Sequence, residues 1–373
     1  NRRKKMVWFH SSSMGEFEQA KPIIQKLKEN NNVNIIVTFF SPSGYENSRR
    51  YPYADIISYM PFDTVGLSKK FLDLVKPDLA VFMRYDIWPN FIFQLSSKKI
   101  PSLLVDATMR KESKRKLPLI KSFHKGLYKR ITKILTVSEN DRDNFLDFDL
   151  DEEKVITIGD TRFDRVYQKS LEAKEKKLFK EDFFHNKKVF VFGSSWDADE
   201  DVILPAFLKL IKYDPDVILI IAPHEPTLMR LQKIEEYLTG KTSFIRFSYL
   251  NDYQNENVII IDSIGILLTL YYYADTAYVG GSFRQGIHNV LEPAVYGIPV
   301  IYGPKIENST EAKKLAEIGG AKVVPNKKQA YRILRKLFSS DTLRKEMGDT
   351  SYNYVYKNIG ATEKILTEIK KYI

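Results

Sequence analysis

The chain has 373 residues, 43% of them hydrophobic and 28% charged, which is the composition of a globular protein long enough for two domains. It has no cysteine and only five histidines. Disulfides, thiolate metal sites and cysteine nucleophiles are therefore excluded, and a multi-histidine metal centre has little to draw on. The net charge is +11, and no apolar run reaches the ~18–20 residues of a membrane span. The nearest run, 258–277, is interrupted by Asp262 and Asp275.

Short β-branched and aromatic runs follow one another along the first half, at 6–10, 34–39, 54–58, 79–83, 102–106, 133–137 and 155–158. Most are continuous rather than alternating, as strands buried on both faces of a parallel sheet are. Helix-like stretches stand between them, notably 17–28 and 71–74. A polar, lysine-rich segment then precedes a second series of runs at 189–192, 217–222, 258–261, 276–279, 299–301 and 321–324. Strand–helix alternation predicts α/β architecture with two doubly wound domains of similar size, the cleft between them being the default ligand site. The expected boundaries are a domain at 1–168, a linker at 169–188, a second domain at 189–338 and C-terminal helices at 339–373.

The charge is uneven. Residues 1–168 hold 29 lysines and arginines against 21 acids, and ten of those bases fall between Arg110 and Lys133 with one acid, Glu112. Such a patch suits an anionic partner or is a solvated helix face. Leu119, Ile120, Phe123, Leu127, Ile131 and Leu135 run through it at helical spacing. They read as one face of an interfacial helix or as a core-facing stripe.

Ligands of open α/β sheets bind beyond the carboxyl ends of the strands, so the segments there carry the candidate chemistry. Ser11 to Glu16 follows the first strand. Ser13 and Gly15 permit backbone amides to face a ligand, and Glu16 is placed to act as a general base or, alternatively, to cap a helix. Arg84, Asp86 and Trp88-Pro89-Asn90 follow the fourth strand. They offer a cation and a carboxylate, or else an Arg84–Asp86 pair and packing at a helix start. Gly159 to Asp164 presents Arg162, a phosphate or carboxylate holder or an interdomain salt bridge.

In the second half, Gly280-Gly281 and then Gly286 to Pro293 form the most specific segment. Asn289, Val290 and Leu291 would open a helix toward a phosphate, and Glu292 can accept from ribose hydroxyls. Alternatively, His288 and Glu292 pair four residues apart. Pro223-His224 and Ile264-Gly265-Ile266 end neighbouring strands. Asp-x-Asp triplets at 197/199 and 214/216 are too common here to mark a metal site, and no metal or cofactor is expected. No Walker loop or hydrolase elbow is present.

Taken in order, Ser13-Met14-Gly15-Glu16, Trp88-Pro89-Asn90, 159–164, Gly193-Ser194-Ser195, Pro223-His224 and the stretch from Gly280 to Gly303-Pro304 resemble the 3-deoxy-D-manno-octulosonic acid (Kdo) transferases of lipopolysaccharide synthesis. Those are glycosyltransferases of the GT-B architecture, two Rossmann-like domains facing a central cleft. The resemblance implies CMP-Kdo as donor and an anionic lipid A precursor as acceptor. It makes Glu16 the general base and Arg162 a basic group stabilising the transition state. CMP would be held by Pro223, His224, Ile264, Gly265, Ile266 and Asn289 to Glu292, with Ser13, Gly15, Arg84 and Asp86 as further substrate contacts. It also implies the cytoplasmic face of the inner membrane, reached peripherally or by an N-terminal anchor upstream of Asn1.

Two departures stand out. Arg84 replaces a common acid, and His224 replaces a common arginine, so another ulosonic acid or a UDP-sugar donor is the alternative. A nucleic-acid-binding role is not expected, because the basic excess is local and no recognition motif accompanies it.

Overall fold

The computed structural model describes residues 4–30 and 32–373. The chain divides into two units, residues 1–165 with 358–373 and residues 166–357. The first unit is built on β1 (Lys5–Ser11), β2 (Val33–Phe39), β3 (Ile56–Tyr59), β4 (Leu79–Met83), β5 (Ser102–Ala107), β6 (Lys133–Thr136) and β7 (Val155–Thr157). Every pairing is parallel, in the order β3-β2-β1-β4-β5-β6-β7.

Successive residues of β1 serve opposite faces, as the pleat requires. Val7 and Phe9 join Phe17, Ile23 and Leu27 of the helix Met14–Asn30 in one core. Trp8 joins Phe82, Phe91 and Tyr128 in the other. Burial on both faces is why these strands appear as unbroken apolar runs.

The second unit contains β8 (Lys188–Ser195), β9 (Val217–Pro223), β10 (Phe244–Arg246), β11 (Val258–Ile260), β12 (Thr276–Val279), β13 (Val300–Tyr302) and β14 (Ala321–Val323). This sheet is parallel as well, ordered β10-β11-β9-β8-β12-β13-β14. In each unit the strand order reverses beside its first strand, between β1 and β4 and between β8 and β12. Those reversals are the places where doubly wound sheets open a crevice for ligands.

Three expectations change. The segment 169–188 is no free linker: the helix Thr161–Lys174 occupies its start, and Phe179 is buried with Tyr271, Val191 and Ile220 in a core of the second unit. The C-terminal helices are shared out. Lys327–Ser339 and Asp341–Lys357 belong to the second unit, whereas Ala361–Ile369 places Ala361, Ile365, Leu366 and Ile369 in the core of the first. The basic stripe is not one helix. The helix Pro118–Tyr128 exposes Leu119, Ile120 and Phe123, but Leu127 is buried, and buried Ile131 and Leu135 lie beyond it, Leu135 on β6.

Candidate active site

In the first unit the chain leaves β1 at Ser11 and enters the helix Met14–Asn30 three residues later. That short turn brings the Glu16 carboxylate back over the helix start. Its Oε2 accepts from the amides of Ser12 at 2.7 Å and Ser13 at 3.2 Å, while Ser13 Oγ accepts from the Glu16 amide at 3.4 Å. This is a reciprocal cap that satisfies amides the helix cannot. The capping and functional readings of Glu16 therefore coexist, because the cap fixes the carboxylate in one position. Oε1 accepts no hydrogen bond among the described residues.

Glu16 is only 6% exposed. Burial, and then the charge of Asp86, push its carboxyl above the usual range, against the pull of the two amides and Arg84. Asp86, beyond β4, goes the other way. Burial would raise it, but the hydrogen bonds from His10 Nε2 at 2.9 Å and from Ser12 Oγ outweigh burial and hold it below the usual range. Two neighbouring carboxyls driven apart in this manner are the usual arrangement where one must take a proton and the other must stay charged.

Arg84 does not pair with Asp86. It takes a left-handed backbone, φ +62°, and its Nη1 donates to Gln19 Oε1 at 3.3 Å. Arg162 is held by its own turn: Nε donates to Asp160 Oδ2 at 2.9 Å and Nη2 to the same oxygen at 2.5 Å. Its salt bridge is thus local to the first unit. Trp88 precedes the helix Pro89–Ser97 and packs on Phe40 and His10, and Asn90 Nδ2 donates to the Asp63 carbonyl, so Trp88-Pro89-Asn90 is a packing element. Gly15 is exposed on the first helix turn, and Ser13 is spent on the cap.

In the second unit a cavity of about 420 Å³ opens beside the ends of β8 and β12. Ser194, Gly265, Tyr271, His288, Asn289 and Glu292 line it, with Lys169, Glu172 and Lys176 from the segment following the first unit. Asn289 Oδ1 accepts from the Leu291 amide at 3.1 Å and its Nδ2 donates to Glu292 Oε1 at 3.2 Å. The helix that follows, Leu291–Ala294, is a single turn whose Leu291 amide is already satisfied by Asn289. Asn289 thus takes up one of the amides that the sequence reading offered to a phosphate.

Val290 and Leu291 bury their side chains, so they can meet a ligand only through backbone. Ile264 is exposed and Ile266 half-buried, and neither lines the cavity, although Gly265 between them does. Pro223 ends β9. His224 follows, donating its amide to the Ser195 carbonyl at 3.1 Å. Its ring stacks on Trp196 and His288, with centroids 4.7 and 4.4 Å apart. Trp196 Nε1 donates to His288 Nε2 at 2.9 Å. Burial and the adjacent His224 push His288 down to about 4, so it stays neutral and able to accept that bond.

The Asp-x-Asp pairs are structural. Asp199 accepts from Tyr278 Oη and the Gly281 amide, Asp197 pairs with Arg230 and Lys233, and Asp214 and Asp216 pair with Lys188 and Lys187. Among the described residues, no group of three or more histidines and acids is gathered so as to hold a metal.

Several side chains escaped the sequence reading. Asp106, fully buried at the end of β5 with φ +50°, accepts from the Thr161 amide and hydroxyl, and burial and Asp160 push it up to about 7. An aspartate inside an apolar run gave the only hint. His10 orients Asp86 together with Ser12 of the Ser11 to Glu16 segment, and Tyr271 and the two lysines line the cavity beside Ser194; His10, Tyr271 and the lysines belong to no motif with a spacing of its own.

Comparison with known proteins now bears on this arrangement. The family described as 3-deoxy-D-manno-octulosonic-acid transferase (Kdotransferase) matches residues 1–165. The 3-deoxy-D-manno-octulosonic acid transferase of Haemophilus influenzae is 28% identical over 98% of this chain and 87% of its own length. That of Rickettsia bellii is 26% identical over 98% and 88%. Among solved structures, the UDP-GlcNAc 2-epimerase of Neisseria meningitidis superposes with a TM-score of 0.69, at 17% identity, over 99% of this chain and 100% of its own. That likeness concerns the fold alone, two Rossmann-like domains of the GT-B kind. The family match covers the unit that carries Glu16 and Asp86, and the relatives align across both units, so the chain is similar to the Kdo transferases along its length and is a glycosyltransferase.

Proposed function

We propose that the protein transfers Kdo from CMP-Kdo to a lipid A precursor, with Glu16 as general base. The observation that carries the reading is the buried, doubly capped Glu16 carboxylate, raised above its usual range beside an Asp86 held below its own. In the reaction an acceptor hydroxyl oxygen forms a bond to the anomeric carbon of Kdo, and its proton passes to Glu16. The bond from that carbon to the CMP phosphate oxygen breaks, and CMP leaves with the electron pair. The reading requires no cofactor. A base held at the end of a strand, its carboxyl raised above the usual range by burial, suits such a proton transfer.

The cavity of the second unit is the donor's nucleotide site in this reading. Its size lies within the ~300–1,000 Å³ of small-ligand pockets, and Glu292 there can accept from ribose hydroxyls while the lysines face the anionic groups. Arg162, bound to Asp160 through Nε and Nη2, would serve as the transition-state cation in this reading. Glu16→Gln, assayed with CMP-Kdo and a lipid A precursor by mass spectrometry, should lose transfer by ~10²-fold or more, the usual worth of a general base, while still binding CMP. Near-full turnover would overturn the assignment, and competition by UDP-sugars but not CMP in the same assay would redirect the donor.

An anionic lipid acceptor places the reaction at the cytoplasmic face of the inner membrane. The support is on the helix Pro118–Tyr128, where Leu119 is 92% and Phe123 49% exposed among Lys114, Lys116, Lys121 and Lys125. Among the described residues, no helix is long and apolar enough to cross a membrane.

A further inference from the structure

The cavity of the second unit has a hydroxyl on its wall that the fold does not use. Tyr271 closes the helix Leu267–Tyr271 and is 1% exposed, its ring packed in a core with Val191, Leu270 and Ala277. It nevertheless lines the cavity. Among the described residues its hydroxyl makes no hydrogen bond. The hydroxyl is open to the cavity rather than sealed in the core, so a ligand there can reach it.

The position of that hydroxyl is built in. Gly193, near the end of β8, makes room for it, because a Cβ at that residue would lie 2.0 Å from the phenolic oxygen. The carboxylate of Glu292, which lines the same cavity, acts on the phenol electrostatically; burial first, and then that charge, keep the phenol protonated. The wall therefore presents a hydroxyl that can donate, close to a carboxylate that can only accept. A sugar hydroxyl, which donates through its proton and accepts through its lone pairs, satisfies both at once.

We propose that the Tyr271 hydroxyl hydrogen-bonds a ribose hydroxyl of the bound nucleotide, sharing the sugar with Glu292. This rests on the nucleotide reading of the cavity and adds to it a binding residue on a different helix. Tyr271→Phe removes one oxygen that the fold does not use and leaves the ring in its packing, so the thermal midpoint should not move. Calorimetry with CMP and with 2′,3′-dideoxy-CMP then tests the contact. The expected result is CMP binding about three- to tenfold weaker in Tyr271→Phe, the effect of one neutral hydrogen bond, with equal affinity of parent and variant for the dideoxy nucleotide. Equal weakening for both nucleotides, or no weakening for either, overturns the proposal. If the parent binds CMP, Glu292→Ala weakens it and Tyr271→Phe does not, the nucleotide site stands and only the tyrosine contact falls. A parent that does not bind CMP overturns the nucleotide reading, and the proposal with it.

Discussion

Glu16 and Asp86 influence each other through charge, and that coupling has a measurable sign. In the proposed mechanism Glu16 acts as a base only when ionised, so activity should rise with pH through its titration. Burial and the Asp86 charge raise that titration, which puts the acid limb of the rate profile above the ordinary glutamate range. Asp86→Asn removes the charge but keeps an oxygen for His10 and Ser12 to bond. The acid limb of the kcat/KM profile should then move to lower pH. A limb that stays in place, or moves up, would mean that Asp86 does not act on the base through its charge. The motif residues of this site were legible in the sequence because they stand just past apolar runs, where polar side chains have no packing role. Asp106 and Tyr271 were not, because each sits within a run whose neighbours are core, and only the fold shows which way such a side chain turns. Arg162 was legible as a cation and as a salt-bridge candidate, but not its partner, since Asp160, two residues away, is set by the backbone of the turn.

At the level of elements, the parallel strands were readable because burial on both faces leaves few polar residues in them. β10 was overlooked: it is an edge strand of three half-buried residues, too short for a pattern. The basic stripe was misread because a helical spacing of apolar residues continues across a helix end into β6 when both ends of the run are core. Elements approach closely where β12 ends. A Cβ on Gly280 would lie 2.0 Å from the Ser194 carbonyl oxygen, which is backbone and cannot swing aside. Gly66, on the helix Val65–Val75, has nothing within 4 Å of the same position. Gly280→Ala should cost about 1–3 kcal/mol or more, as overpacking does, whereas Gly66→Ala should gain ~0.5–1 kcal/mol from helix propensity. Denaturant midpoints decide it, and similar midpoints for the two variants would contradict the crowding at the end of β12.

Over the whole molecule the excess charge sits in the first unit, together with the exposed Leu119 and Phe123. Lysines near an anionic leaflet are worth roughly 1 kcal/mol each. Reversing Lys121, Lys125 and Lys129 to Glu should lower binding to anionic vesicles and flatten its salt dependence, with CMP affinity kept because the second unit is untouched. Lys125 also pairs with Asp149, an exposed bridge whose loss is minor. Vesicle binding equal to the parent at low salt would reduce the patch to a solvated face.

The helix Ala361–Ile369 has a further consequence, for the order in which the protein is made. Its apolar residues complete a core begun by β1 and the helix Met14–Asn30, yet residues 166–357 emerge from the ribosome in between. At about 5–20 residues per second, the first unit waits roughly 10–40 s with that side of its core uncovered while the second is synthesised. Glu16 is thus translated before the second unit exists, and the core beside its helix is closed only after that unit has been made.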